Sequence, residues 1–272
     1  MPAAAMTKQE YETIGVETAD RICTITMNRP DVYNALNDKL TFELQDALKN
    51  AARDKAVSVV VLTGAGKAFC SGQDLGDLKA KYVPGYVPHL GPDLHKRYNP
   101  IVTRIRTMDK PVIAAVNGVA AGAGLSFALA CDMRIASDQA SFIEVFINVG
   151  LIPASGSTWT LPRLVGLAKA MELCLTGDKV DAAEALRLGL VNRVVPADDH
   201  LTETKAVATR LASLPARGLA LTKRLLNQSY DNTLQQQLEA EAFAQETAGL
   251  TEDHYEGVVA FIEKRKPTFK GK

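Results

Sequence analysis

An α/β architecture is predicted by three features of the chain. Through its first two thirds, short apolar runs of strand type alternate with stretches whose apolar residues recur at helical spacing. Two of these runs, Val57 to Thr63 and Val112 to Val116, lead into corners of glycine and small residues, Gly64 to Leu75 and Asn117 to Gly124. After Pro196 the pattern is helical only, which sets a boundary near residue 200 between a core, 1–200, and a helical region, 201–272.

Taken in order, residues 11–17 and 21–27 read as a strand pair around Thr18-Ala-Asp20. Asn28-Arg-Pro30 breaks that pattern, and Asn37 or Asp38 is placed to cap a helix carrying Leu40, Phe42, Leu44 and Leu48. Between Lys79 and Asp93, Pro84-Gly85, Pro88 and Gly91-Pro92 argue against regular structure, so a long loop of lid or binding type is expected. Leu94 to Met108 reads as a helix that Pro100 breaks or begins. The strand at 112–116 runs through its glycine corner into an apolar helix at Leu125 to Ala130. Further strands are expected at Cys131 to Ala136 and at Ser141 to Phe146, the latter interrupted by Glu144. Helices at 157–165, 167–175 and 181–187, a strand at 190–195 and helices at 198–213, 216–228, 231–247 and 251–264 complete the chain. The last four carry little glycine, and their apolar faces need cover.

A chain of 272 residues holds one large core, or a core with an appendage. Its 31 basic residues balance its 31 acidic ones, so no global field attracts nucleic acid or an anionic membrane. Charges and glycines interrupt the apolar residues before any run reaches membrane-spanning length. Met1-Pro-Ala-Ala-Ala-Met6 has no basic region followed by a long apolar one, so no signal peptide is read and a cytoplasmic protein is expected. Cys23, Cys70, Cys131 and Cys174 form no CxxC pair and are expected as reduced, mostly buried thiols, with Cys70 beside the first corner. His89, His95, His200 and His254 do not cluster at metal-ligand spacing, and no metal site is expected.

The corners carry the chemistry. At the start of a helix the first backbone N–H groups lack partners and sit at the positive end of the dipole, so a corner of small residues suits an anion or a developing oxyanion. A glycine run alone also describes a tight turn. Two such corners, each following a buried strand, can converge on one carbonyl oxygen, the arrangement that stabilises a thioester enolate.

Asn28-Arg-Pro-Asp-Val-Tyr-Asn-Ala-Leu36, Leu62 to Gly66, Ala68 to Leu75, Lys110 to Gly118, Cys131-Asp132 and Leu175 to Asp178 resemble the enoyl-CoA hydratase/isomerase (crotonase) family, in order and at family spacing. Tyr98-Asn-Pro100, Val116 to Gly124, Gly150 to Pro153, Trp159 and Leu161-Pro-Arg163 look most like the family's phenylacetate-pathway isomerases, which act on ring-1,2-epoxyphenylacetyl-CoA. The resemblance implies a spiral of ββα turns, a C-terminal region that builds trimers or hexamers, and an acyl-CoA thioester as substrate with no separate cofactor. It implies oxyanion donors at the Gln73 and Ala123 N–H groups. It also makes Ser71, Gln73, Asp74, Leu75, Ala123 and Gly124 candidates for binding the CoA thioester, with Phe269 of the basic tail reaching a neighbouring subunit's CoA. Phe127, Phe142, Phe146 and Trp159 are candidates for an apolar acyl pocket or for the core.

Three acids of the family are replaced. The two hydratase glutamates fall at Ser126 and Phe146, and the isomerase aspartate falls at Ala154. A positioned acid or base contributes about 10²–10⁴ in rate, so little hydration is expected. Glu144 lies two residues before Phe146; on an extended strand both face the same side, which makes Glu144 the candidate acid/base. Asp74 and Asp132 are expected to hold loops. Three functions remain open: an acyl-CoA isomerase on an aromatic or ring-epoxide group, an ordinary enoyl-CoA hydratase, and a non-catalytic acyl-CoA-binding subunit.

Overall fold

The computed structural model describes residues 10–76, 79 and 83–272. The segment Met1 to Met6 and positions 80–82 of the expected loop lie outside them. Strands β1 (Ile14–Ala19) and β2 (Ile22–Met27) pair antiparallel as a hairpin. Its turn falls at Asp20 and Arg21, both at positive φ, slightly later than the expected Thr18 to Asp20.

Helix α1 (Asp38–Arg53) is capped by Asn37, whose side chain accepts the Leu40 N–H at 2.9 Å. It buries Leu40, Leu44 and Leu48. Phe42, expected with them, is exposed under the Lys96 ammonium. Two residues along a helix turn the side chain about 200° away from Leu40, and spacing of that kind is not an amphipathic repeat.

The next elements come in pairs. β3 (Val59–Gly64) is followed by the short β4 (Ala68–Cys70). Helix α2 (Leu90–Asp93) forms a single turn where irregular chain was expected, because Pro92 lies in a first turn that needs no N–H from it. One π-helical turn, Leu94–Tyr98, then leads to α3 (Asn99–Thr107), so Pro100 marks the start of the α-helix proper. β5 (Val112–Val116), β6 (Val119–Ala121) and α4 (Ala123–Ala130) repeat the pattern, as do β7 (Met133–Ser137), β8 (Ser141–Ile143), α5 (Ser157–Val165) and α6 (Leu167–Thr176). β9 (Lys179–Asp181), α7 (Ala182–Arg187) and β10 (Arg193–Val195) close the core, and α8 (His200–Ala212), α9 (Ala216–Gln228), α10 (Leu234–Gly249) and α11 (Glu252–Ile262) follow.

In each pair the first strand enters a six-stranded sheet, ordered β1-β2-β3-β5-β7-β10, and the second enters a four-stranded sheet, ordered β4-β6-β8-β9. Apart from β1–β2 and β8–β9 the pairings are parallel. This is the ββα spiral that the resemblance implies. The large sheet is buried on both faces, which is why its central strands read as unbroken apolar runs. Val60, Leu62, Val112, Ala114 and Val116 face the main core, while Val59, Val61, Ile113, Ala115 and Ile135 face Val207, Ala208 and Ala212 of α8. The first of the four C-terminal helices is therefore the cover of the outer sheet face. Among the described residues no helix is long and apolar enough to cross a membrane.

Candidate active site

Two backbone corners meet at the end of the small sheet. β4 and β6 lie side by side, and their exits are so close that a Cβ on Gly124 would stand 2.2 Å from the Cys70 carbonyl oxygen. At Gly72 a Cβ would stand 2.9 Å from the Ala121 carbonyl oxygen and 3.4 Å from the Ala123 nitrogen. Only glycine permits these approaches. Gly122 turns the chain into α4 at φ 52 and ψ −127, a conformation that excludes a side chain. Ala123 is then the first helical residue, so its N–H has no intrahelical acceptor. On the other corner, Leu36 and Gln73 form a parallel bridge in which Leu36 donates to the Gly72 carbonyl and Asp74 donates to the Leu36 carbonyl. That register turns the Gln73 N–H away from Leu36, and it has no acceptor among the described residues. The structure thus brings the Gln73 and Ala123 corners together. The Gln73 side chain is held by the Tyr98 hydroxyl, which donates to Gln73 Oε1, a contact not read from the sequence.

Glu144 reaches the same region by a different geometry from the one expected. β8 ends at Ile143, and residues 145–149 form a 3-10 turn, so Glu144 and Phe146 are not on one extended strand. The Ile143 carbonyl accepts the Gly122 N–H at 3.0 Å, which seats Glu144 next to the corner. Its side chain turns inward and is 2% exposed, while Val145 and Phe146 flank Gly122. Burial pushes the Glu144 carboxyl up to about 7, against the lowering effect of the Ser157 hydroxyl that donates to Oε1 at 2.9 Å. Oε2 is buried without a hydrogen-bond partner among the described residues. Ser126, one turn into α4, is buried and lies 2.9 Å from Ser157, oxygen to oxygen.

The other expected positions divide. Ser71 spends its N–H on the Tyr33 carbonyl. Asp74 pairs with Arg29 at 2.8 Å and accepts the Gly76 N–H, a loop-holding role as expected. Asp132 accepts the Val112 N–H and pairs with Lys223 at 2.7 Å, also structural. Leu75 is exposed beside the corner. Phe127 and Phe142 are fully buried core residues, which leaves Phe146 as the aromatic at the corner. Trp159 stacks between the Arg106 and Arg163 guanidinium groups instead of facing an apolar pocket, because it lies on the α5 side turned toward those arginines. Phe269 packs on Gly257 of its own α11, and Asp253 clamps the tail by accepting the Lys270 and Gly271 N–H groups. Cys70 is buried and its thiol is pushed up to about 12, which makes it unreactive. Among the described residues no three His, Cys, Asp or Glu side chains are grouped to hold a metal ion.

A ββα spiral whose two glycine corners meet at the end of the small sheet is the crotonase fold. The chain belongs to the enoyl-CoA hydratase/isomerase family, whose model matches residues 17–272. It is 44% identical to the 1,2-epoxyphenylacetyl-CoA isomerase of Escherichia coli K12 over 252 residues, covering 92% of this chain and 95% of that protein. It is also 44% identical to a probable enoyl-CoA hydratase of Rhodobacter capsulatus, covering 96% of this chain and 99% of that protein. The crystal structure of a putative enoyl-CoA hydratase from Streptomyces coelicolor superposes with a TM-score of 0.91 at 36% identity, covering 100% of this chain and 98% of that one.

Proposed function

We propose that the chain is an acyl-CoA isomerase. The thioester oxygen sits between the Gln73 and Ala123 N–H groups, which stabilise the enolate formed when an α-proton leaves. Such donors are worth about 10²–10³ in rate. The observation that carries the reading is Glu144, a buried carboxyl beside the corner with an affinity for protons near neutrality; the family resemblance puts Ser126 and Phe146 at the positions of the hydratase acids. Moving a proton from one carbon to another needs one group that takes it and returns it. Hydration needs a second group to activate water, and the other carboxylate at the corner, Asp74, is paired with Arg29. An aromatic or ring-epoxide acyl group is favoured by the E. coli relative and by Phe146 at the corner. The reaction needs no cofactor beyond the substrate's own CoA. Exposed apolar residues on the C-terminal helices support a trimer or hexamer, and four free thiols support a cytoplasmic setting.

The reading is tested by turnover of purified protein on the ring-1,2-epoxide of phenylacetyl-CoA, a β,γ-enoyl-CoA and crotonyl-CoA. Isomerisation is expected on at least one of the first two, and Glu144→Gln is expected to lower it about a hundredfold. Rapid hydration of crotonyl-CoA would sink the isomerase assignment in favour of a hydratase. Thioester binding without any turnover would leave the binding-subunit alternative.

A further inference from the structure

We propose that Ser126 and Ser157 form a proton relay joining the Glu144 carboxyl to the acyl group held at the Gln73 and Ala123 corner. The inference rests on the functional proposal above and adds the route by which its proton travels.

Glu144, Ser157 and Ser126 are sealed from solvent together, each 2% exposed or less. The three side chains form one unbroken line, with Ser157 Oγ 2.9 Å from Glu144 Oε1 and Ser126 Oγ 2.9 Å from Ser157 Oγ. Its far end lies at the corner. Ser126 Oγ lies 3.1 Å from the carbonyl oxygen of Gly122, the residue just before the Ala123 N–H donor.

The hydroxyl inventory works in both directions. With Glu144 ionised, Ser157 donates to Oε1 and Ser126 donates to Ser157. With Glu144 protonated, Oε1–H donates to Ser157, Ser157 donates to Ser126, and Ser126 turns its own proton to the Gly122 carbonyl at 3.1 Å or the Ala154 carbonyl at 3.0 Å. Neither state leaves a serine proton without an acceptor. A purely structural tie between α4, α5 and β8 requires only one of these arrangements.

In the forward step the C–H bond at the α-carbon breaks and its electron pair enters the enolate, whose oxygen is held by the two N–H groups. The proton goes to Ser126 Oγ as the Ser126 proton passes to Ser157 and the Ser157 proton passes to Glu144 Oε1. The reverse sequence, delivered to a different carbon, completes the isomerisation with no net gain or loss of protons. Among the described residues the Cys174 thiol of α6 also faces Glu144; burial and then the Glu144 charge push it up to about 11, so it stays protonated.

The test is deuterium uptake at the α-carbon of phenylacetyl-CoA in D2O, followed by mass spectrometry, with binding of the same thioester measured by calorimetry. Ser126→Ala and Ser157→Ala are each expected to slow uptake about tenfold or more with thioester affinity unchanged, and Ser126→Thr, which keeps the hydroxyl, to restore it. The pH midpoint of uptake is expected to rise in Ser157→Ala, which loses the hydrogen bond that favours the carboxylate, and to stay put in Ser126→Ala. If Ser157→Ala does not fold, Ser126→Ala decides alone, because alanine suits that helical position. Uptake that depends on Glu144 but is unaltered in both serine variants overturns the relay and leaves the isomerase reading standing. A native protein that neither exchanges the α-protons of phenylacetyl-CoA nor isomerises the ring-epoxide or the β,γ-enoyl-CoA overturns both.

Discussion

Glu144 carries a cost that can be measured without any substrate. Its carboxyl moves from an ordinary 4.5 to about 7 on folding, and at about 1.4 kcal/mol per unit the ionised form weakens the fold by roughly 3 kcal/mol. The sign follows from the folded state's greater affinity for the proton. The contribution is fully present below about pH 4.5 and is lost as pH rises through about 7. Glu144→Gln removes that titration while keeping the shape of the side chain. Urea denaturation at pH 5 and pH 8 is expected to show the native protein losing stability relative to the variant at the higher pH. Parallel behaviour of the two proteins would mean that the carboxyl is not sealed as described. The sequence pointed to Glu144 through an extended strand that the structure ends at Ile143; Glu144 still turns inward beside the corner, but for a different geometric reason. Ser157 was not legible, because a serine opening a helix looks like any helix start.

At the scale of elements, the corner depends on backbone surfaces touching. A methyl group on Gly124 has the Cys70 carbonyl 2.2 Å away, so α4 and β4 must separate. Gly124→Ala is expected to cost about 1–3 kcal/mol and to abolish thioester binding, since the separation opens the gap between the two N–H donors. Gly249→Ala, at a helical position with open space around it, is the control and is expected to be neutral or stabilising. Thermal melts and calorimetry read both effects. The long strands β3 and β5 were legible because both their faces are buried and their apolar runs are continuous. β4, β6 and β9 were not, because each is three residues long and is set inside a glycine corner or directly against a helix start, with no longer apolar run to mark it. Those three belong to the small sheet, whose strands alternate with the large one's, so the sequence revealed corners where the structure has corners and a second sheet together.

At the scale of the whole molecule, the C-terminal helices are fastened through α9. Lys223 enters the core, pairs with Asp132 and donates to the Ile105 and Lys110 carbonyls at 2.8 and 3.0 Å. Burial pushes Asp132 up and Lys223 down, and each offsets the other's shift. Lys223→Ala therefore strands a buried carboxylate and is expected to cost about 3–5 kcal/mol, read by urea denaturation. Beyond that fastening the helices present Phe243, Leu250 and Phe261 at 78%, 85% and 85% exposure. Side chains of this size are seldom left bare together, because burying each is worth about 1.5–3 kcal/mol. Association with further copies of the chain would cover them, and sedimentation at micromolar concentration is expected to give a trimer or hexamer. A monomer under those conditions would remove the trimerisation role proposed for this region, and the apolar surface would then need a different partner. Because α8 seals the outer face of the large sheet, the core's own cover does not depend on that association, so dilution is expected to dissociate subunits before it unfolds them.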